Sequence, residues 1–135
     1  MVCAAGLRRY GFVEESHLVS RGLLAAADAL GGRLPELFAG LTDAEMPVPV
    51  RYPTSCSPQA WASASPLLLL RTLLGLEPEV PNGEIEIDPE MPQGATTLNV
   101  DDLPLAGLRV GVEVDGDALA VRGLPRGLAL IRPGR

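Results

Sequence analysis

This chain of 135 residues has no lysine, one histidine and two cysteines. Its eleven basic residues are all arginine and face seventeen acidic ones, giving a net charge of −6. No basic stripe exists to neutralise phosphates, so nucleic acid and anionic membrane surfaces are excluded as expected partners. Cys3 and Cys56 form no Cys-x-x-Cys or Cys/His cluster, which argues against a disulfide framework and a zinc site. Both are expected as free thiols packed like small hydrophobes, with no metal and no cofactor. Cys56 precedes Ser57-Pro58, a helix start that could lower a thiol pKa, but His17 shows no sign of lying beside it as a base. Long hydrophobic runs are missing too. The longest, PLLLLRTLLGL, is interrupted by Arg71 and falls short of the roughly 20 residues needed to span a bilayer. The N-terminal stretch lacks the apolar segment of a secretory signal, so a cytoplasmic, reducing location is expected. Aromatic residues are few: Tyr10, Phe12, Phe38, Tyr52 and Trp61. None follows residue 61, so the C-terminal half makes a poor sugar-binding module.

What is present describes a folded domain, with 47% hydrophobic and 21% charged residues. Up to about residue 76 the pattern is helical. CAAGLRRYG reads as the end of a helix without an N-cap of its own. Residues 13–30 space Leu18, Val19, Gly22, Leu23, Ala26 and Leu30 as one helical face. Glu14 and Glu15 occupy the first turn, and Gly31-Gly32 is the stop. A further helix is predicted from Ser57 as N-cap, with Pro58 at N1, to Gly75, and Pro66 should kink it. Trp61, Leu67 to Leu70, Leu73 and Leu74 cover nearly its whole circumference, so it calls for neighbours on all sides. The short companions at hand supply few, as if a longer helical array had been cut.

After residue 76 the period becomes two. Ile85 and Ile87 alternate with acidic residues in GEIEID, and Val110, Val112 and Val114 precede Asp115-Gly116 with Leu119 and Val121 beyond it, a hairpin signal. Glu84, Glu86, Asp88 and Glu90 lack the spacing of a calcium loop and read as a solvated strand face. His17 reads as a solvated helix residue. A Pro-rich strip joins the halves, which divides the chain into 1–75 and 76–135.

GGRLPELFAG, followed by VPVRYPTSCSPQAWASASPLLLLRTLLGLEPE, resembles the C-terminal end of bacterial amylo-alpha-1,6-glucosidase, or glycogen-debranching-type, glycoside hydrolases. The resemblance covers residues 1 to about 92, with AAGLRRYGF and EIDPEMP as further matches. It implies a mainly α fold with a small β tail: the last helices of an (α/α)6 barrel, then a short antiparallel β segment with the hairpin at Asp115-Gly116. It also implies an inverting glycosidase of α-glucosidic bonds, in which one carboxylic acid protonates the leaving oxygen and another activates water.

By that resemblance Glu36 occupies the place of the general base. From the residues alone it is either that base, fixed in a cleft by Pro35 and lined by Phe38, or a solvated carboxylate in the first turn of a short helix. Arg33 could orient it, and Gln59 could hydrogen-bond sugar hydroxyls. Tyr52 and Trp61 flank the PTSCSPQ loop as candidate ring-stacking faces. Core packing of Trp61 and plain surface placement of Arg33 and Gln59 are the alternatives. The general acid and most of the cleft would lie upstream of Met1, so the isolated chain is expected to be catalytically incomplete. The partner would be an alpha-glucan or oligosaccharide where the barrel is complete. A different reading makes the chain a non-catalytic interaction piece that completes a barrel supplied by another chain, or that self-associates through exposed apolar helices.

Overall fold

A computed structural model describes residues 1–57 and 59–133. The chain forms two compact units, Met1–Leu70 and Arg71–Arg135. Its composition is 33% helix and 25% strand, the strands lying in two small sheets. The expectation of a mainly α fold made of a barrel's last helices is therefore wrong: the protein is a mixed α and β chain.

The first unit opens with α1 (Val2–Arg9) and α2 (Val13–Ala29). Arg8 and Arg9 in the last turn of α1 complement its dipole. Gly11, at φ 83, closes the helix by the left-handed cap that only glycine adopts without strain. In that cap the Phe12 N–H donates to the Leu7 carbonyl at 2.9 Å and the Gly11 N–H to Arg8 at 3.0 Å. The same device ends α2 at Gly31-Gly32, as the sequence predicts.

The two helices pack through small residues. Ala4, Ser16 and Ser20 are fully buried. The Ser16 hydroxyl donates to the Ala4 carbonyl at 2.8 Å and the Ser20 hydroxyl to the Ser16 carbonyl at 2.7 Å. Satisfied hydroxyls of this size let helix backbones approach closely. That choice rotates α2 away from the expected stripe. Leu18 and Val19 are exposed, while His17, expected in solvent, is only 5% exposed.

Residues 33–57 form a ribbon-like excursion. The Ala39 N–H donates to the Val50 carbonyl at 2.8 Å and Tyr52 N–H to Leu37 at 3.0 Å, on either side of a bridge between Phe38 and Arg51. Its tip is held by Glu45, whose carboxylate accepts both the Thr42 N–H and the Thr42 hydroxyl at 2.8 Å. The backbone N–H first, then the hydroxyl, hold the Glu45 carboxyl below its ordinary pKa.

Helix α3 (Ala60–Leu74) carries Pro66 in its interior, where the ring cannot donate a backbone hydrogen bond. The predicted N1 proline, Pro58, lies outside the described residues. Arg71, in the last turn, donates to the Leu76 carbonyl at 2.9 Å and pairs with Glu77.

The second unit holds both sheets. In the first, β1 (Glu77–Glu79) pairs antiparallel with β2 (Glu84–Glu86), and β2 pairs parallel with β6 (Ala129–Ile131). The all-antiparallel expectation fails at that last pairing. The second sheet is an antiparallel meander of β3 (Thr97–Leu105), β4 (Leu108–Asp115) and β5 (Ala118–Arg122). Val110, Val112 and Val114 alternate onto one buried face of β4, the period-two pattern of a half-buried strand. Leu74, Leu76, Ile85, Ile87 and Leu105 are further buried aliphatic residues of this unit.

The hairpin predicted at Asp115-Gly116 exists. Asp115 pairs with Ala118, so the loop residues are Gly116 and Asp117. A bulge sets Asp101 and Asp102 opposite Gly111, with Asp102 at φ 58. Gly111 has a second effect: with no side chain there, Arg122 of β5 reaches over β4 to Asp101 of β3 at 3.3 Å.

The β3–β4 turn is Ala106-Gly107, with φ 46 and φ 80. Positive φ at both positions is the hairpin geometry that favours Asn-Gly or Gly-Gly, and alanine is strained there by about 1–2 kcal/mol. Ala106→Asn is expected to raise the urea midpoint with an unchanged slope, corresponding to about 0.5–1 kcal/mol. An unchanged or lower midpoint would contradict the assigned strain.

Candidate functional site

Leu34 and Pro35 are buried, and the chain turns at Glu36 in a bend rather than a helix. The first turn of a short helix is therefore not what holds this carboxylate. The Glu36 N–H donates to the Cys56 carbonyl at 3.1 Å, and the Cys56 N–H donates back to the carboxylate at 3.4 Å. This reciprocal pair fixes both backbone and side chain, leaving Glu36 half-buried.

Glu36 lines a groove of about 430 Å³ within the first unit. Met1, Val2 and Cys3 at the start of α1, Leu23 of α2 and the Trp61 to Leu68 face of α3 supply most of the wall, and Phe38 also lines it. Trp61 is 65% exposed, so it is not a core residue. Of the six residues singled out in the sequence, the groove brings together Glu36, Phe38 and Trp61.

Arg33, Tyr52 and Gln59 stand outside the lining described for this groove. Arg33 and Tyr52 are exposed. Gln59 serves α3 instead: its carbonyl accepts the Ser63 N–H at 2.8 Å and its side-chain oxygen accepts the Ala60 N–H at 3.0 Å. That is the capping role the sequence assigns to Ser57.

Two wall residues escape the sequence reading. Cys3 is free and exposed, as is Cys56, so neither thiol packs in a core as expected. Ser65 shares the groove face of α3 with Trp61 four residues earlier and donates its hydroxyl to the Trp61 carbonyl at 3.3 Å. The i, i+4 spacing was the available signal.

Chemically, the groove is an apolar surface with one carboxylate. Inverting hydrolysis requires two carboxyl groups about 6.5–9.5 Å apart, and Glu36 is the only carboxylate among the described residues lining it. Among the described residues no group of three His, Cys, Asp or Glu side chains could hold a metal ion, and no helix is long and apolar enough to cross a membrane. No protein-family model, curated protein or solved structure matches this chain.

Proposed function

We propose that the chain is a non-catalytic interaction module whose first unit is covered by a second protein surface, in the simplest case another copy of itself. The observation that carries this reading is an imbalance in the first unit. Its buried hydrophobic residues are Ala4, Ala26, Leu34 and Leu69, whereas Leu18, Leu67 and Trp61 are each at least 65% exposed, and Phe12, Val48 and Leu37 are also open to solvent. Contiguous apolar surface beyond a few hundred Å² marks an interaction site in a folded protein.

Light scattering across a range of protein concentrations tests it. The expected result is a mass above that of the 14.2 kDa chain, rising with concentration. Leu67→Ser combined with Trp61→Ser should shift the distribution toward monomer by roughly tenfold or more in dissociation constant, the scale set by losing central apolar anchors. A clean monomer with sharp cooperative unfolding overturns the reading.

The shared placement of Glu36, Phe38 and Trp61 favours a second reading, in which the groove is a subsite for an α-glucosyl unit, as the resemblance to debranching-type hydrolases implies. An exposed indole supplies a flat stacking face, and a carboxylate accepts sugar hydroxyls. Trp61 is the only tryptophan, so its fluorescence reports the groove directly. Maltotriose is expected to change that fluorescence saturably, and Glu36→Gln should weaken the effect roughly tenfold, as loss of a charge-assisted hydrogen bond does. With one carboxylate in the groove the chain alone should not hydrolyse the sugar. A flat titration with the unmodified chain removes this reading and leaves the first one standing.

A further inference from the structure

One face of α2 is open to solvent. Glu14, Leu18, Arg21, Ala25 and Asp28 are all exposed, and they follow one another at alternating spacings of four and three residues, the seam along which one helix lies against another. Ser16 and Ser20 are buried on the opposite side of the helix, where the Ser16 hydroxyl bonds the Ala4 carbonyl of α1.

The charges on this seam alternate in sign: Glu14, Arg21, Asp28. Successive ones are separated by roughly 10 Å along the axis, beyond the three- and four-residue spacings at which side chains of one helix meet. A second copy of α2 carries the complement. Laid parallel, the two helices would set Glu14 against Glu14 and Arg21 against Arg21, which repel. Laid antiparallel about a two-fold axis at Leu18, each Glu14 stands opposite the Arg21 of the other copy, and symmetry makes the pair twice.

The flanks agree as well. At about 100° per residue, Glu14 and Arg21 lie on one side of the Leu18 line and Glu15 on the other. A two-fold axis of this kind brings like flanks together, so Glu15 stays out of the pairing. Leu18, which is 65% exposed, then packs on Leu18 of the other copy at the centre of the contact. We infer that, given the self-association proposed above, two copies meet through antiparallel α2 helices, with Leu18 on Leu18 and Glu14 beside Arg21. This contact is closed, so it ends at a dimer.

Dissociation constants from sedimentation of the whole chain and its charge-reversed variants test the pairing. Glu14→Arg and Arg21→Glu should each weaken association by roughly tenfold, since two attractive pairs become repulsive. The two changes move the net charge in opposite directions, so a loss in both reports the local pairing. The double variant should return to the affinity of the unmodified chain, and an equal mixture of the single variants should associate more tightly than either alone. Leu18→Ser should weaken association by roughly tenfold or more, as loss of a central apolar anchor does. Self-association that none of these changes alters overturns the α2 contact and leaves the interaction reading standing, whereas a monomer at every concentration overturns both. Should Glu14→Arg lose helical circular dichroism, Arg21→Glu and Leu18→Ser decide.

Discussion

Gly123→Ala is expected to destabilise the chain by about 3 kcal/mol or more. Gly123 follows β5 at φ 73, and a β-carbon there would lie 2.6 Å from the Arg109 backbone oxygen. The obstacle is main chain inside β4, held in register with β3 through the Pro104–Arg109 pairing, so it cannot swing aside as a side chain would. Two costs combine: about 1–2 kcal/mol for alanine in the left-handed region and about 1–3 kcal/mol for overpacking against a fixed neighbour. Gly116→Ala separates them, since Gly116 has φ 57 and nothing within 4 Å of an added β-carbon. It should lose only the first amount. Urea midpoints of the two variants make the comparison, and equal losses would refute the steric part.

Ile85→Ala should lower stability by about 2–5 kcal/mol, the range for deleting a fully buried branched side chain and leaving a cavity. Ile85 is 0% exposed and sits on β2, the central strand of its sheet, paired with Pro78 on one side and Leu130 on the other. Ile85→Val removes a single methylene and should lose about 0.5–1.5 kcal/mol. If alanine and valine at this position were equally well tolerated in chemical denaturation, the assigned burial of Ile85 would be wrong.

Local signals carried much of this fold, and nonlocal ones did not. The Gly31-Gly32 stop, the body of α3 and the strand alternation around Asp115-Gly116 are written in neighbouring residues, and each forms as read. β6 is three residues long and pairs in parallel with β2 from more than forty residues away, so no local period announces it. β3 contains Asp101, Asp102 and Pro104, residue types depleted in strands, and it survives because an edge strand tolerates a proline and a bulge. The face of α2 differs from the expected one for another reason. Periodicity points its leucines and valine at the core, but the close contact with α1 is made by serines whose hydroxyls find carbonyl acceptors, a compensation that hydrophobic periodicity does not register.

The candidate groove divides in the same way. Glu36 and Phe38 are two residues apart and share a wall of it. Trp61 joins them from α3, which the sequence could not place. Gln59 lies two residues before Trp61 and is spent on capping the helix, so proximity in sequence did not carry a shared role.

Arg122 lying across the glycine of β4 has a consequence for how the second sheet meets other molecules. Its two outer strands are β3 and β5, and outer strands are where chains stack into open-ended fibres. Here β3 is interrupted by its bulge and by Pro104, while β5 is five residues long. The guanidinium ties the two borders together over the central strand through Asp101 and Glu113. A neighbouring chain would find no long, straight row of free amides to copy. Growth by strand templating is thereby discouraged at both borders of this sheet, so contacts made there fall to side chains, which can saturate, rather than to a repeating row of backbone amides.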